Sequence, residues 1–251
     1  MSGHNKWSTI KRKKGANDAK RGAIFTKIIR EITVSVKNGG GDDPNSNPRL
    51  RTAIIKAKEN NMPLDNIERA IAKAAGKLDG VVYEEIRYEG YAPGGTALMV
   101  DVITDNRNRT FPEIRTIFGK NGGNLGESGC VAFMFDKKGS ILIEPEQTTE
   151  DDLMEILLDF DVDEIETNDD GSISVTCSPD CFNDVNDAIS AKGFKTSNSE
   201  ITYIPQTTVE LDEKRAEQCL RLVEALEDHD DVQNVYGNYD ISDEILDKLQ
   251  G

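Results

Sequence analysis

The first third of the chain carries apolar residues at helical spacing in three segments. In residues 18–37 the apolar positions recur every three or four residues, which is typical of a helix with one buried face; they are Ile24, Phe25, Ile28, Ile29, Ile32 and Val36. Residues 38–48, rich in Gly, Asn and Pro, predict a flexible break, and Asn47 is placed to cap a second helix that begins at Pro48. A third helix is predicted after Pro63. Three short helices with short connections predict a small bundle.

The periodicity changes after residue 80, where apolar and polar residues begin to alternate as they do in strands. Residues 82–91 and 96–104 predict two strands joined by a turn, and residues 107–121 predict a helix. A glycine-rich loop is predicted over residues 122–129, and a further strand over residues 131–135. This segment lacks the second helix and the last strand that a complete α+β domain would need.

Residues 139–204 show a complete alternation of strand, helix, strand, strand, helix and strand, which is the order of a ferredoxin-like domain. The parts that the preceding segment lacks follow this unit, at the end of the chain. The tail then adds an amphipathic helix, with Ala216, Leu220 and Val223 on one face, and a strand near residues 232–238. We therefore expect the ferredoxin-like unit to interrupt a discontinuous domain.

The predicted fold class is α+β multidomain: an N-terminal three-helix bundle plus two α+β domains, the third of which is ferredoxin-like and inserted into the second. The predicted domains are residues 1–78, residues 79–135 together with 206–251, and the inserted residues 136–205.

Charge divides the chain at the same place as the periodicity. Residues 1–78 hold 17 Lys/Arg and 7 Asp/Glu, a net charge of +10, whereas the remaining residues carry −26, which gives the chain its net −16. Such a difference in sign indicates a nucleic-acid-binding part attached to an acidic body. No apolar run approaches the roughly 18 residues that span a membrane, and the first residues do not look like a signal peptide. We therefore expect a cytoplasmic protein with no membrane contact.

The cations are most concentrated at the N-terminus, where residues 1–37 hold ten Lys/Arg against two Asp/Glu. Neutralising phosphates is the commonest use of such a cluster. Trp7 has few apolar neighbours at helical spacing, and an exposed indole stacks well on unpaired bases. The alternative is a solvated tail with the tryptophan folded back on the bundle. We predict a nucleic-acid site made of Lys6, Trp7, Lys11, Arg12, Lys13, Lys14, Lys20, Arg21, Lys27 and Arg30.

Other chemistries fit the sequence less well. Cys177 and Cys181 are the only close cysteines, and buried small side chains explain them better than a zinc site, because the two histidines are far away in sequence. His229 lies in Glu-Asp-His-Asp-Asp, which predicts a solvated acidic run, and no hydrolase or metalloprotease motif occurs. We predict no catalytic residue, no metal site and no cofactor, and hence a protein that is not an enzyme.

Several stretches resemble the signature of the YebC/PmpR family, and the resemblance covers essentially the whole chain. They are Gly3-His-Asn-Lys-Trp7, Asp18-Ala-Lys-Arg21, Phe25-Thr-Lys-Ile-Ile-Arg-Glu31, Asn60-Asn-Met-Pro63, Asn66-Ile-Glu-Arg-Ala70 and Tyr88-Glu-Gly-Tyr-Ala-Pro-Gly-Gly95. The family typically has Gly where this chain has Ala92. The resemblance implies a cytoplasmic bacterial protein of three domains, with the third inserted into the second, and a non-enzymatic role in gene expression.

The resemblance leaves more than one function open. It most often implies a DNA-binding transcriptional regulator. Other members, including a mitochondrial translational activator, act on the ribosome and are linked to the synthesis of proline-rich stretches. A body of charge −26 is repelled by duplex DNA, whereas a ribosome offers rRNA, tRNA and basic proteins. A third alternative is a module whose acidic domains bind proteins. The expected partners are thus DNA or ribosomal RNA, and basic ribosomal or transcription proteins.

Overall fold

The computed structural model describes residues 18–77, 82–168 and 170–250. Its helices are α1 Asp18–Asn38, α2 Pro48–Glu59, α3 Leu64–Ala72, α4 Arg107–Lys120, α5 Glu150–Ile156, α6 Phe182–Ala191, α7 Glu213–Glu227 and α8 Asp243–Gln250. Its strands are β1 Glu84–Ala92, β2 Thr96–Thr104, β3 Asn124–Leu125, β4 Phe135–Ile143, β5 Val162–Thr167, β6 Ile173–Cys177, β7 Thr196–Pro205, β8 Val209–Glu210, β9 Val232–Gly237 and β10 Tyr239–Asp240. They form a helical bundle and two α+β domains.

The helices α1, α2 and α3 pack into the predicted bundle. Their apolar faces meet in one core, in which Ile32 and Leu50 are fully buried and Ile67 nearly so. The side chain of Asn47 accepts the N–H of Leu50 and caps α2, with Pro48 at its first position. The bundle ends in a wide irregular turn, Lys73–Lys77, in which Gly76 has a φ of 77°. The predicted three-helix bundle is confirmed.

The glycine-rich connection between α1 and α2 is a compact hydrogen-bonded loop. The Gly39 N–H donates to the Ser35 carbonyl at 2.9 Å, and Asn47 Nδ2 donates to the carbonyls of Ser35 and Gly41, both at 2.8 Å. Gly41 has a φ of 107°, which side chains disfavour. The glycines thus permit the tight turn that brings Asn47 against the end of α1.

The second domain is a four-stranded sheet in the order β3-β1-β2-β9. β1 and β2 pair antiparallel along their whole length, and β9, which follows the inserted domain in sequence, pairs with β2. The core that includes α4 and α7 contains Val100, Ile114, Phe118 and Leu222, all with no exposed surface. Because β9 completes a sheet begun by β1 and β2, the chain returns to the same domain after an insertion.

The inserted domain has a sheet in the order β5-β6-β4-β7, in which every neighbouring pair is antiparallel. With α5 between its first two strands and α6 between its last two, this is the ferredoxin-like order. Ile141 and Val175 on the sheet pack with Leu153 of α5 and Ile189 of α6. The predicted fold class is confirmed, while the boundaries at residues 78, 135 and 205 stay predictions.

Two local predictions need correction. Residues 131–135 are not a strand: Ala132–Met134 forms a 3₁₀ turn, and Phe135 begins the first strand of the inserted domain. The apolar run is explained by burial, because Val131 and Phe135 pack against Met99 and Tyr236. The helix α8 was not predicted, although Ile245, Leu246 and Leu249 lie on one helical face and pack on the core of the second domain.

A buried carboxylate organises the glycine-rich loop that leads into the inserted domain. Glu89 on β1 is 3% exposed and accepts the backbone N–H groups of Gly129 at 2.7 Å and of Val131 and Ala132 at 2.8 Å. Burial alone would raise the pKa of Glu89, but the three N–H donors outweigh it and hold the pKa below its usual value. The charged form of Glu89 therefore fixes the loop.

Replacing Glu89 by glutamine should lower the free energy of unfolding by about 1–3 kcal/mol, because an amide group brings its own N–H donors against three backbone donors. Chemical denaturation of the full chain measures the change. Glu127→Gln, on the same loop and exposed, removes the same charge and should leave stability within about 0.5 kcal/mol. Equal stabilities of the two variants would contradict the role given to Glu89.

Candidate nucleic-acid interface

Most of the predicted nucleic-acid residues lie outside the part of the chain that the structure describes. These are Lys6, Trp7, Lys11, Arg12, Lys13 and Lys14. Lys20 and Arg21 lie in the first turn of α1, but their side chains are outside the described part as well. The role of these eight residues therefore stays a prediction. The described candidates are Lys27 and Arg30.

Lys27 and Arg30 both contact the second domain. Lys27 Nζ donates to the carbonyl of Glu227, the last residue of α7, where the helix dipole favours a cation. Arg30 Nη1 donates to the carbonyl of Asp230 and to Asp231 Oδ1, the latter at 2.8 Å, and the Arg30 side chain is only 14% exposed. These two cations fasten α1 to the second domain, and a contact of either with nucleic acid stays a prediction.

The carboxylate of Asp231 receives four donors, and the sequence did not predict this role. Besides Arg30, its carboxylate accepts from Thr110 Oγ1 at 2.6 Å, Arg109 Nη2 at 2.7 Å and Thr104 Oγ1 at 3.0 Å. Burial alone would raise the pKa of Asp231, but the hydrogen bonds from Thr110, Arg109 and Thr104 and the charge of Arg30 hold it below its usual value. Asp231 is thus the ionised centre of the contact between the bundle and the second domain.

The prediction that residues 227–231 form a solvated acidic run is wrong for two of its members. The Asp231 side chain is 2% exposed, and the His229 side chain is 13% exposed with its Nε2 atom 3.0 Å from Glu113 Oε2. The Asp231 N–H also donates to His229 Nδ1 at 3.1 Å. The charge run looked exposed because its partners lie on other elements of the chain.

Exposed cations on the described bundle extend the positive charge beyond α1. Lys56 and Lys58 lie in the last turn of α2, and Arg69 and Lys73 lie at the end of α3. Arg49 is different: it bonds Glu31 on α1 at 2.9 Å and Glu85 on β1 at 2.6 Å and joins the two domains. Cations on α2 and α3 can therefore add to the electrostatic attraction of a polyanion, whereas Arg49 is structural.

The cysteines behave as small packing residues. Cys177 has no exposed surface, and burial, together with the nearby Cys181, raises its pKa to about 12. Cys181 stands at the N-cap of α6, and its Sγ donates to the carbonyl of Asp161 at 3.2 Å. Among the described residues, no group of three His, Cys, Asp or Glu side chains could hold a metal ion.

The fold and the interface define a class of protein in which a basic helical bundle is docked on a discontinuous α+β domain that carries a ferredoxin-like insertion. Comparison with known families matches residues 5–77 to the TACO1/YebC protein N-terminal domain and residues 83–239 to the TACO1/YebC second and third domain. The chain belongs to the TACO1/YebC family. The resemblance found in its motifs is thereby confirmed.

Relatives match the chain over nearly its whole length. A "probable transcriptional regulatory protein" of Geotalea uraniireducens is 57% identical over 249 residues, 99% of this chain and 100% of that protein. One of the same description from Trichlorobacter lovleyi is 59% identical over 249 residues, with the same coverage. The crystal structure of a conserved hypothetical protein from Aquifex aeolicus superposes with a TM-score of 0.80 at 45% identity, covering 91% of this chain and 94% of that one. None of the described helices combines the length and apolar character needed to cross a membrane.

Proposed function

We propose that the protein is a non-enzymatic, nucleic-acid-binding regulator of transcription that contacts DNA through its N-terminal basic segment and acts in the cytoplasm. The observation that carries the proposal is the charge distribution: +10 in residues 1–78 against −26 in the rest of the chain. Cations of this density bind phosphates, while an acidic body keeps the remaining surface away from the polyanion. The names of the relatives, probable transcriptional regulatory proteins, agree with this function.

The contacts of α1 explain how the basic segment would act together with the body. Arg30 and Lys27 fix α1 against the second domain, and the proposed nucleic-acid contacts precede α1 in the sequence. The proposed contacts are Lys11, Arg12, Lys13 and Lys14 with phosphates, and Trp7 with a base or sugar. Phosphate contacts carry no sequence information, so a target sequence would have to be recognised by other groups or by DNA shape.

A ribosomal function is the second candidate, and the charge of the body favours it. Acidic domains are repelled by duplex DNA, whereas basic ribosomal proteins would attract them. On this proposal the N-terminal segment binds rRNA or tRNA, and the protein acts in translation of difficult sequences such as proline-rich stretches.

The salt dependence of the binding constant and the effect of Trp7→Ala on affinity distinguish these two candidate functions. If about five phosphates are neutralised, log K should fall against log salt with a slope of roughly −4.5 on duplex DNA and −3.5 on single strands. Trp7→Ala should cost about 1–3 kcal/mol on unpaired targets and little on plain duplex. Fluorescence anisotropy with matched duplex and single-stranded oligonucleotides gives both quantities.

The outcomes separate the proposals. Tight duplex binding that is insensitive to Trp7→Ala supports the DNA regulator. Preferential binding to unpaired RNA, with a loss on Trp7→Ala, supports the ribosomal function. A salt slope near zero on every nucleic acid contradicts both.

A further inference from the structure

A cleft of about 1980 Å³ lies where the bundle, the second domain and the inserted domain meet. Small-molecule pockets are usually about 300–1,000 Å³, so a cleft of this size suits a segment of a macromolecule. It is bounded by α1 and α2 on one side, and strands of both sheets form the rest of its wall. Arg30 and Asp231, which hold α1 on the second domain, are not among the described residues that line the cleft.

The charge of the cleft is opposite to that of the N-terminal segment. Among the described residues that line it, ten are Asp or Glu and five are Lys or Arg, namely Lys27, Arg49, Lys56, Arg87 and Lys137. Two of these cations are already neutralised within the wall. Arg49 bonds Glu31 and Glu85, and Arg87 bonds both carboxylate oxygens of Asp101 at 2.7 and 3.0 Å. With these pairs and their carboxylates Glu31, Glu85 and Asp101 set aside, the lining still holds seven Asp/Glu against three Lys/Arg, and this excess repels phosphates and attracts cations.

The inserted domain contributes a wall with three carboxylates and one lysine. One face of its sheet is covered by α5 and α6, and the opposite face carries polar side chains that line the cleft. Glu164 and Glu166 lie on this face of β5, and Glu200 lies on the same face of β7, opposite Ser140. The three carboxylates are therefore spread over the width of the sheet rather than gathered at one point.

The geometry of the wall suits an extended chain. β7 stands at the edge of the inserted sheet and β9 at the edge of the second domain's sheet, and both line the cleft. β5 and β7 are opposite edge strands of the inserted sheet, so an extended chain that reaches both Glu164 and Glu200 crosses the face of this sheet.

Apolar side chains in the cleft suit the long aliphatic stems of Lys and Arg. Ile55, which is 44% exposed, lines the cleft with Ile86 and Leu142. Lys and Arg lay their apolar stems on such surfaces while their charged ends reach carboxylates. We propose that the cleft is the docking site of an extended, Lys/Arg-rich segment of a partner protein. The inference rests on the attraction of basic proteins to the acidic body that the ribosomal function invokes, and it does not need the proposed contacts of Trp7 and Lys11 with nucleic acid.

The test measures binding of a fluorescent peptide, in which Lys and Arg alternate with Ala, to the full-length protein. Alternation places every cation on one face of a strand. Glu164→Gln, Glu166→Gln and Glu200→Gln combined should weaken binding by about tenfold, as expected for three partly exposed ion pairs. The matched control is Glu155→Gln, Asp159→Asn and Asp187→Asn, which changes the net charge equally on exposed positions outside the cleft. The control should change binding less than about twofold.

Three results would overturn the proposal. The first is no binding of the peptide, or an equal loss in both combined variants, which would mean that only the overall charge matters. The second is a loss of nucleic-acid affinity in the cleft variant, which would make the cleft part of a nucleic-acid site. The third uses Lys11, Arg12, Lys13 and Lys14→Gln: if this variant binds the peptide much more tightly than the unmodified protein, the occupant is the chain's own basic segment. Unchanged peptide binding by that variant supports a partner protein.

Discussion

Replacing Asp231 by alanine should lower the free energy of unfolding by about 3–5 kcal/mol, since removing one member of a buried ion pair leaves its partners uncompensated. The partners here are Arg30, whose side chain is 14% exposed, and the hydroxyl groups of Thr104 and Thr110, which are fully buried. Arg30 also holds α1 on the second domain, so the bundle should loosen together with the loss of stability. Chemical denaturation, with hydrogen exchange of α1 as a second readout, measures both effects.

The neighbouring residue supplies the control. Asp230 is exposed, and only its backbone carbonyl contacts Arg30, so Asp230→Ala removes the same charge and should change stability by less than about 0.5 kcal/mol. A double-mutant cycle that adds Arg30→Met should give a coupling energy of about 0.5–3 kcal/mol between Arg30 and Asp231. If Asp231→Ala were no less stable than Asp230→Ala, the buried pair would not hold the two domains together.

The low pKa of Asp231 also sets the direction of its pH dependence. A carboxyl group whose native pKa lies below its unfolded value of 3.8 stabilises the folded state above that pH, and this contribution is lost as the pH falls through the native pKa. The difference in unfolding free energy between the native protein and Asp231→Ala should therefore be constant near neutrality and should begin to narrow as the pH falls below about 3.8.

How far the sequence predicts the structure depends on whether the signal is local. The helix from Asp18, the cap at Asn47 and the strand pair across residues 93–95 follow from periodicity and turn residues within a few positions. The role of Asp231 does not, because its donors Arg30 and Thr110 lie 201 and 121 residues away in sequence. Arg30 shows the same limit: its side chain continues the basic face of α1, but burial against Asp231 makes it a structural contact.

The cleft illustrates a related limit. The carboxylates of Glu164 and Glu200 belong to strands that are not adjacent in the chain or in the sheet, and only the order β5-β6-β4-β7 places them on one face. The sequence shows that the body is acidic, which already favours cationic partners, but it does not show which carboxylates act together. For the predicted nucleic-acid residues the sequence is the more informative source, because their basic composition indicates phosphate binding. Measurements of nucleic-acid binding must test this prediction.

The combined change of Lys11, Arg12, Lys13 and Lys14 to glutamate should abolish most nucleic-acid binding. If four of about five phosphate contacts are lost, affinity near 0.1 M salt should fall by roughly a thousandfold, and the salt slope on duplex DNA should weaken from about −4.5 to about −0.9 or closer to zero. The loss should be nearly the same on every sequence, because phosphates carry no sequence information. Electrophoretic or anisotropy titrations over a range of salt concentrations measure the affinity and the slope together.

A matched variant tests whether the position of the charge matters. Lys120, Lys192, Lys195 and Lys214 are exposed on the acidic body, and their combined change to glutamate alters the net charge by the same amount as the N-terminal change. Because the body is proposed to stay away from nucleic acid, this control should keep the native slope and lose affinity by less than about tenfold through long-range repulsion, which salt screens. If the N-terminal variant kept the native affinity and slope, or if the control lost as much, the basic segment would be only a solvated tail.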